Sequence, residues 1–171
     1  MKTKKQQELV NSFLDTLDNE LGSLYQEIVM CLSKLGYYPR KQRSYIVFKH
    51  DVHNKEMAKM GTTWTKDASP YFALRFSACK GYTKSFADVV KDYIDKNPGK
   101  LFPHCENERC VFREDGNRTP LYEYTSPDGE SQSCCGAKAL VIPDITADDI
   151  EEINKLIKEE HEYLLKHEAN V

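Results

Sequence analysis

Four of the six cysteines in this 171-residue chain lie where they could bind one metal ion. Cys105 and Cys110 are separated by four residues, and Cys134 and Cys135 are adjacent. A gap of four residues is typical of a zinc-binding pair, and structural zinc takes four tetrahedral ligands. The sequence therefore predicts a structural zinc ion held by Cys105, Cys110, Cys134 and Cys135.

Two features keep other interpretations of these cysteines open. Adjacent side chains in a strand point to opposite faces, so one of Cys134 and Cys135 could be a non-ligand that His104 replaces. Gly136 follows the pair and permits a tight backbone turn. Reduced thiols that bind nothing, and redox or disulfide chemistry, are the alternatives.

A second group of chemically active side chains is His50-Asp51-Val52-His53, at the end of a β-rich segment. Alternation along a strand would place His50 on one side and Asp51 with His53 on the other. Asp51 and His53 would then form an acid/base or metal pair. A polar turn after a strand gives the same pattern.

Aromatic and basic side chains are interleaved in the middle of the chain, where residues 34–100 carry 14 basic and 6 acidic side chains. Aromatic rings beside cations can stack bases and hold phosphates. We expect residues 40–84 to present a ligand-binding surface that includes Tyr45, Trp64, Tyr71 and Arg75. The alternative is that the acidic last helix covers this face and that Arg75 is the buried partner of a carboxylate.

Three helices are predicted from apolar periodicity, over residues 8–35, 84–96 and 147–167. The first is either one helix or two that meet at Gly22-Ser23, and it ends at Gly36. Its apolar stripe either covers the sheet or pairs with a second copy of the chain, so a homodimer through residues 8–35 stays open. On the last helix, His161 and His167 are interpreted as solvated.

β-rich segments over residues 44–49, 71–77 and 138–142, together with Asp-Gly turn signals, predict a mainly antiparallel sheet. The fold class is therefore α+β. We expect one domain over residues 1–171, with a cysteine-containing hairpin inserted at 101–140.

The composition is that of an ordinary globular domain, with 40% hydrophobic and 30% charged residues. We find no apolar stretch long enough to cross a bilayer, no secretory signal and no phosphate-binding or hydrolase motif. These absences predict a cytoplasmic protein with no membrane association. The net charge of −3 does not favour nucleic acid as a partner, although it leaves nucleic acid open.

Part of the chain resembles uncharacterised bacterial proteins. Between Cys105 and His167, the cysteine pairs, Tyr122-Glu-Tyr124 and the closing segment 156–163 resemble the C-terminal part of bacterial domains of unknown function. The layout from Tyr45 to Tyr93 is similar to that of YdhG/YjbR-like α+β domains. The resemblance implies a cytoplasmic bacterial protein and assigns no catalytic residue.

Two functions remain as hypotheses. The first is a binding module with a structural zinc site, whose basic aromatic sheet face receives an anionic ligand, a nucleic acid or a protein. The second is a small-molecule enzyme that uses Asp51 and His53, or a reactive thiol of Cys134 or Cys135.

Overall fold

The computed structural model describes residues 1–63, 68–97, 120–126 and 128–166 of the chain. These residues form helices on a five-stranded antiparallel sheet, with a separate two-stranded sheet beside it. The predicted α+β class is confirmed. None of the described helices is long and apolar enough to cross a membrane.

The N-terminal segment contains two helices, α1 (Lys4–Leu14) and α2 (Asn19–Lys34), instead of one. The break precedes α2 because Asp18 caps that helix, its Oδ1 accepting from the Leu21 N–H at 2.8 Å. Gly22-Ser23, the alternative site for a kink, lies inside α2. Gly36 has φ +86° and follows the end of α2, as predicted.

The other two helices lie close to where periodicity placed them. They are α3 (Lys84–Asp95) and α4 (Ile150–Lys166), and a single 3₁₀ turn at Ala147–Asp149 leads into α4. Thr146 and Asp149 form a capping box at the N-terminal end of this turn, in which the Thr146 N–H donates to Asp149 Oδ2 at 2.8 Å.

The described strands are β1 (Tyr37–Gln42), β2 (Tyr45–His50), β3 (Glu56–Thr62), β4 (Pro70–Leu74), β5 (Tyr122–Thr125), β6 (Ser131–Cys134) and β7 (Leu140–Ile142). The main sheet has the strand order β1-β2-β3-β4-β7, and all neighbouring strands are antiparallel. The other two strands, β5 and β6, form a hairpin of their own.

The hydrophobic core lies between one face of the main sheet and the helices. Alternate residues of the strands point into it because side chains change face at each residue. The core side chains of the sheet include Ile46, Phe48, Met60, Phe72, Leu74, Leu140 and Ile142, and those of the helices include Leu32, Phe86, Val90, Ile153 and Ile157.

Tyr122 fastens the β5–β6 hairpin to this core. It is fully buried, and its hydroxyl accepts from the Phe76 N–H at 2.9 Å and donates to the Lys138 carbonyl at 3.0 Å. The hairpin is thereby held at the end of β4.

Replacing Tyr122 by phenylalanine should lower the free energy of unfolding by about 1–3 kcal/mol, because it leaves a buried N–H and a buried carbonyl without the hydroxyl. Urea denaturation measures the change. Tyr124→Phe on the same hairpin is the control and should cost less than about 0.5 kcal/mol. Equal effects of the two substitutions would contradict the buried anchor.

Candidate metal centre

Three histidines that are distant in sequence meet at one corner of the fold. His50 is the last residue of β2, His53 lies in the turn that follows, and His161 lies on α4. One ligand atom from each residue lies within 4.8 Å of the other two. We call these three residues the histidine cluster, and it is a group that could hold a metal ion.

The imidazole rings of the cluster surround Tyr37, the fully buried first residue of β1. The Tyr37 ring makes edge contacts with the rings of His50, His53 and His161, at centroid distances of 5.0, 5.8 and 5.5 Å. Its hydroxyl lies 3.2 Å from His161 Nδ1. Tyr37 thus orients the ring that α4 contributes.

The local backbone fixes the position of His50. Its Nδ1 accepts from the N–H groups of Val52 and His53 at 3.2 and 3.4 Å. Its Nε2 faces Gly36, where a Cβ would lie only 2.9 Å away. Glycine is therefore required at position 36 for two reasons. It adopts the left-handed backbone conformation that ends α2, and it leaves room for the His50 ring.

His53 stacks on His50, with ring centroids 3.9 Å apart and planes inclined by 9°. Asn54, with φ +57°, turns the chain back towards β3. The strand therefore ends at His50 and a polar turn follows, which is the second of the two interpretations of this segment; the alternation of His50 and His53 across a strand does not occur. Asp51 forms an ion pair with Lys2.

All three histidines favour the uncharged form. Burial lowers the pKa of His50, His53 and His161 below the ordinary value of 6.5. For His53 the pKa falls to about 3, because the positive forms of its neighbours add to the effect of burial. At neutral pH the three imidazoles are therefore uncharged, and the Nδ1 atoms of His50 and His53 accept backbone N–H groups.

Arg75 does not lie on an open sheet face. Its side chain is 4% exposed, and its Nε lies 2.7 Å from Oε1 of Glu160, a residue of α4 whose side chain is fully buried. The expectation that Arg75 receives a ligand from solvent is corrected, and the alternative of a buried carboxylate partner holds. The cause is the docking of α4 against the end of β4.

Tyr45 and Tyr71 lie together on the sheet face opposite the core, on either side of Gly61. Both are half-buried. Trp64, the fourth residue of the predicted ligand surface, lies outside the described residues.

The predicted cysteine site is described only in part. Cys105, Cys110 and His104 lie outside the described residues. Cys134 and Cys135 are each 6% exposed, which disfavours either as a reactive thiol, since such thiols must be accessible. Gly136 lies in a turn in which the Lys138 N–H donates to the Cys135 carbonyl at 3.2 Å, in agreement with the predicted tight turn. A Cβ at this glycine would also lie 1.5 Å from the Pro120 carbonyl oxygen.

Sequence reasoning missed the histidine cluster as a unit. His161 is half-buried against Tyr37, so its interpretation as solvated is wrong. The spacing of His50 and His53 is a local signal for a turn with two imidazoles. Nothing in the sequence near His161 links it to that turn, because the link is made by the packing of α4.

The chain matches no protein-family model, no curated protein and no solved structure. The resemblance to YdhG/YjbR-like domains therefore stays a prediction.

Proposed function

We propose that the protein is a metal-binding module and that the histidine cluster holds a divalent transition metal ion of the zinc class. The observation that carries this proposal is the convergence of three imidazoles, from β2, the following turn and α4, to within 4.8 Å. Two nitrogens bound to one zinc at 2.0–2.1 Å lie about 3.4 Å apart. Closing the cluster thus requires the three ligand atoms to move closer together.

The chemistry of the donors selects the class of metal. Three imidazoles suit zinc, copper, nickel or iron, whereas calcium and magnesium prefer oxygen ligands. Because the three pKa values are lowered, binding at neutral pH displaces few protons. Three protein ligands would leave one tetrahedral position for water or another molecule.

His53 must rotate before it can share an ion with His50. Its ring is nearly parallel to that of His50, so the two sets of lone pairs do not point at a common centre. Its Nδ1 also accepts from the Lys55 N–H at 3.3 Å, a long hydrogen bond. Binding would rotate this ring and adjust the turn from residue 51 to 54.

The histidine cluster is continuous with the hydrophobic core. Tyr37, which fills the space between the rings, is itself part of the core. The metal would therefore link β2 to α4 and stabilise their packing.

The experiment is a calorimetric zinc titration of the wild type, His53→Gln and His161→Gln. Each substitution removes one of three ligands, so the dissociation constant should rise by more than about a hundredfold. Cys134→Ser is the control and should bind zinc at this site as the wild type does. Cobalt(II) bound at the cluster should show no thiolate charge-transfer band.

Two results would oppose the proposal. One is a wild type that binds zinc more weakly than millimolar. The other is zinc binding that His53→Gln and His161→Gln leave unchanged and Cys134→Ser abolishes, which would assign the metal to the cysteines.

The role of Tyr37 provides a finer test. Tyr37→Phe keeps the ring among the imidazoles but removes the hydroxyl beside His161 Nδ1. Partners that orient a metal ligand typically contribute about 10–100-fold in affinity. We expect zinc affinity to fall by about that factor while circular dichroism stays unchanged. Unaltered affinity would show that the hydroxyl does not position His161.

A further inference from the structure

A second feature, independent of the histidines, lies on the sheet face that points away from the core. Tyr45 and Tyr71 both pair with Gly61, one from each neighbouring strand. A Cβ at Gly61 would lie 2.9 Å from Tyr45 Cβ and 3.2 Å from Tyr71 Cε1. The Tyr71 ring therefore covers Gly61, a position that carries no side chain, and Tyr45 lies on the other side of that glycine.

Cationic side chains share this face with the tyrosines. Cross-strand neighbours lie on the same face, which places Arg40 beside Val47, Lys59 beside Val47 and Ala73, and Lys49 beside Tyr38. We call this surface the tyrosine face. Its members are Tyr38, Arg40, Tyr45, Val47, Lys49, Glu56, Lys59, Gly61, Tyr71 and Ala73, of which Val47 and Ala73 are buried.

One of these cations, Lys59, lies close to a tyrosine ring, and Arg40 is held by a neighbouring side chain. Lys59 Nζ lies 5.6 Å from the centroid of the Tyr45 ring and 2.9 Å from Glu56 Oε1. Arg40 is exposed, and its Nη1 donates to Asn54 Oδ1 at 2.8 Å. Strands β1–β4 contain four lysines and arginines and one glutamate.

The negative charge of the described chain is concentrated elsewhere. Helix α4 carries five glutamates and three lysines and packs on the core side of the sheet, where Glu160 pairs with Arg75. The helix on one side of the sheet is thus acidic, whereas strands β1–β4 have a surplus of basic residues. The net charge of −3 for the whole chain hides this local surplus of positive charge.

We propose that the tyrosine face binds single-stranded nucleic acid, with bases stacked on Tyr45 and Tyr71 and phosphates held by Arg40 and Lys49. Surfaces that bind single strands combine two elements, partly exposed aromatic rings and cationic side chains. An acidic protein would use the cations but would gain less from the partly exposed tyrosine rings. The basic residues and the tyrosine rings together favour the nucleic acid.

The first experiment measures fluorescence anisotropy of labelled 12-nucleotide oligo(dT) and oligo(U) at 50 mM salt. Tyr45→Leu and Tyr71→Leu keep apolar cover over Gly61 but remove the aromatic ring, and each should weaken binding by about tenfold or more. Tyr45→Phe and Tyr71→Phe retain the ring and should bind within about twofold of the wild type. Tyr124→Leu, on the separate hairpin, is the control and should have no effect.

The second experiment measures how binding depends on salt. For single strands, each phosphate contact contributes about −0.7 to the slope of log affinity against log salt concentration. Arg40→Ala should reduce the magnitude of the slope by about that amount. Lys155→Ala, on α4, should leave the slope unchanged.

Three outcomes would overturn the proposal. They are no binding of either oligonucleotide at 100 µM wild-type protein, leucine variants that bind as the wild type does, and an acidic peptide that binds this face more tightly than the oligonucleotides. The last outcome would assign the face to a protein partner.

Discussion

Arg75→Ala should lower the free energy of unfolding by about 3–5 kcal/mol, because it leaves the carboxylate of Glu160 buried without its cation. The side chains of Arg75 and Glu160 are 4% and 0% exposed, and Nε and Oε1 are 2.7 Å apart. The second carboxylate oxygen accepts from the Ala78 N–H at 2.8 Å, so Glu160 is fixed from two sides. Chemical denaturation followed by circular dichroism measures the loss.

The matched control replaces both partners by apolar residues of similar size. Arg75→Met with Glu160→Leu removes the two charges together, and such replacements of buried pairs are often neutral or stabilising. The double variant should therefore recover most of the stability that Arg75→Ala loses. If Arg75→Ala lowers the free energy of unfolding by less than about 1 kcal/mol, Arg75 is accessible to solvent and is again a candidate ligand-binding residue.

The helix prediction shows what periodicity can and cannot detect. The apolar stripe continues through Leu14, Leu17 and Leu21 although the helix breaks between Leu14 and Asn19. Spacing alone therefore predicts a single helix. The signal for the break is Asp18, a favoured N-cap residue whose side chain binds the backbone of the next turn.

Strand β3 could not be predicted from its residues. Its sequence, Glu56–Thr62, contains methionine, alanine and lysine, which are good helix formers. It becomes a strand because it lies between β2 and β4 and pairs with both. For β3, tertiary context therefore determines strand formation more than local propensity does. Strand β2, by contrast, could be predicted from its aromatic and β-branched residues.

The candidate sites divide in the same way. The tyrosines of the sheet face follow from residue types that sequence analysis can recognise, and their pairing across Gly61 follows from register. The cluster of His50, His53 and His161 and the Arg75–Glu160 pair both depend on where α4 docks. That position is set by the apolar side chains of α4, so the polar partners of the helix could not be assigned beforehand.

Zinc should stabilise the wild type by about 4 kcal/mol when its free concentration exceeds the dissociation constant a thousandfold. The reason is that the ion binds the folded cluster, whose ligands lie on β2, its following turn and α4, more tightly than the unfolded chain. For a chain of this size the melting temperature should rise by roughly 10 °C. Calorimetry with and without zinc measures the shift, and EDTA should reverse it.

His161→Gln supplies the control for this stabilisation, since zinc should leave its melting temperature almost unchanged. An equal rise in the variant would mean that the ion stabilises the protein from another site. No rise in the wild type, despite tight binding, would mean that the bound ion does not link α4 to the sheet.

The pH dependence of the zinc-free protein follows from the same three residues. Their pKa values are lowered in the folded state and return to about 6.5 on unfolding, so the unfolded chain binds more protons below that pH. The contribution to stability is complete above pH 6.5 and declines as the pH falls, for His53 down to a pKa of about 3. Between pH 7.5 and 5.0 the wild type should therefore lose more stability than a variant with glutamine at all three positions. Parallel losses would show that the three imidazoles are not buried in their uncharged form.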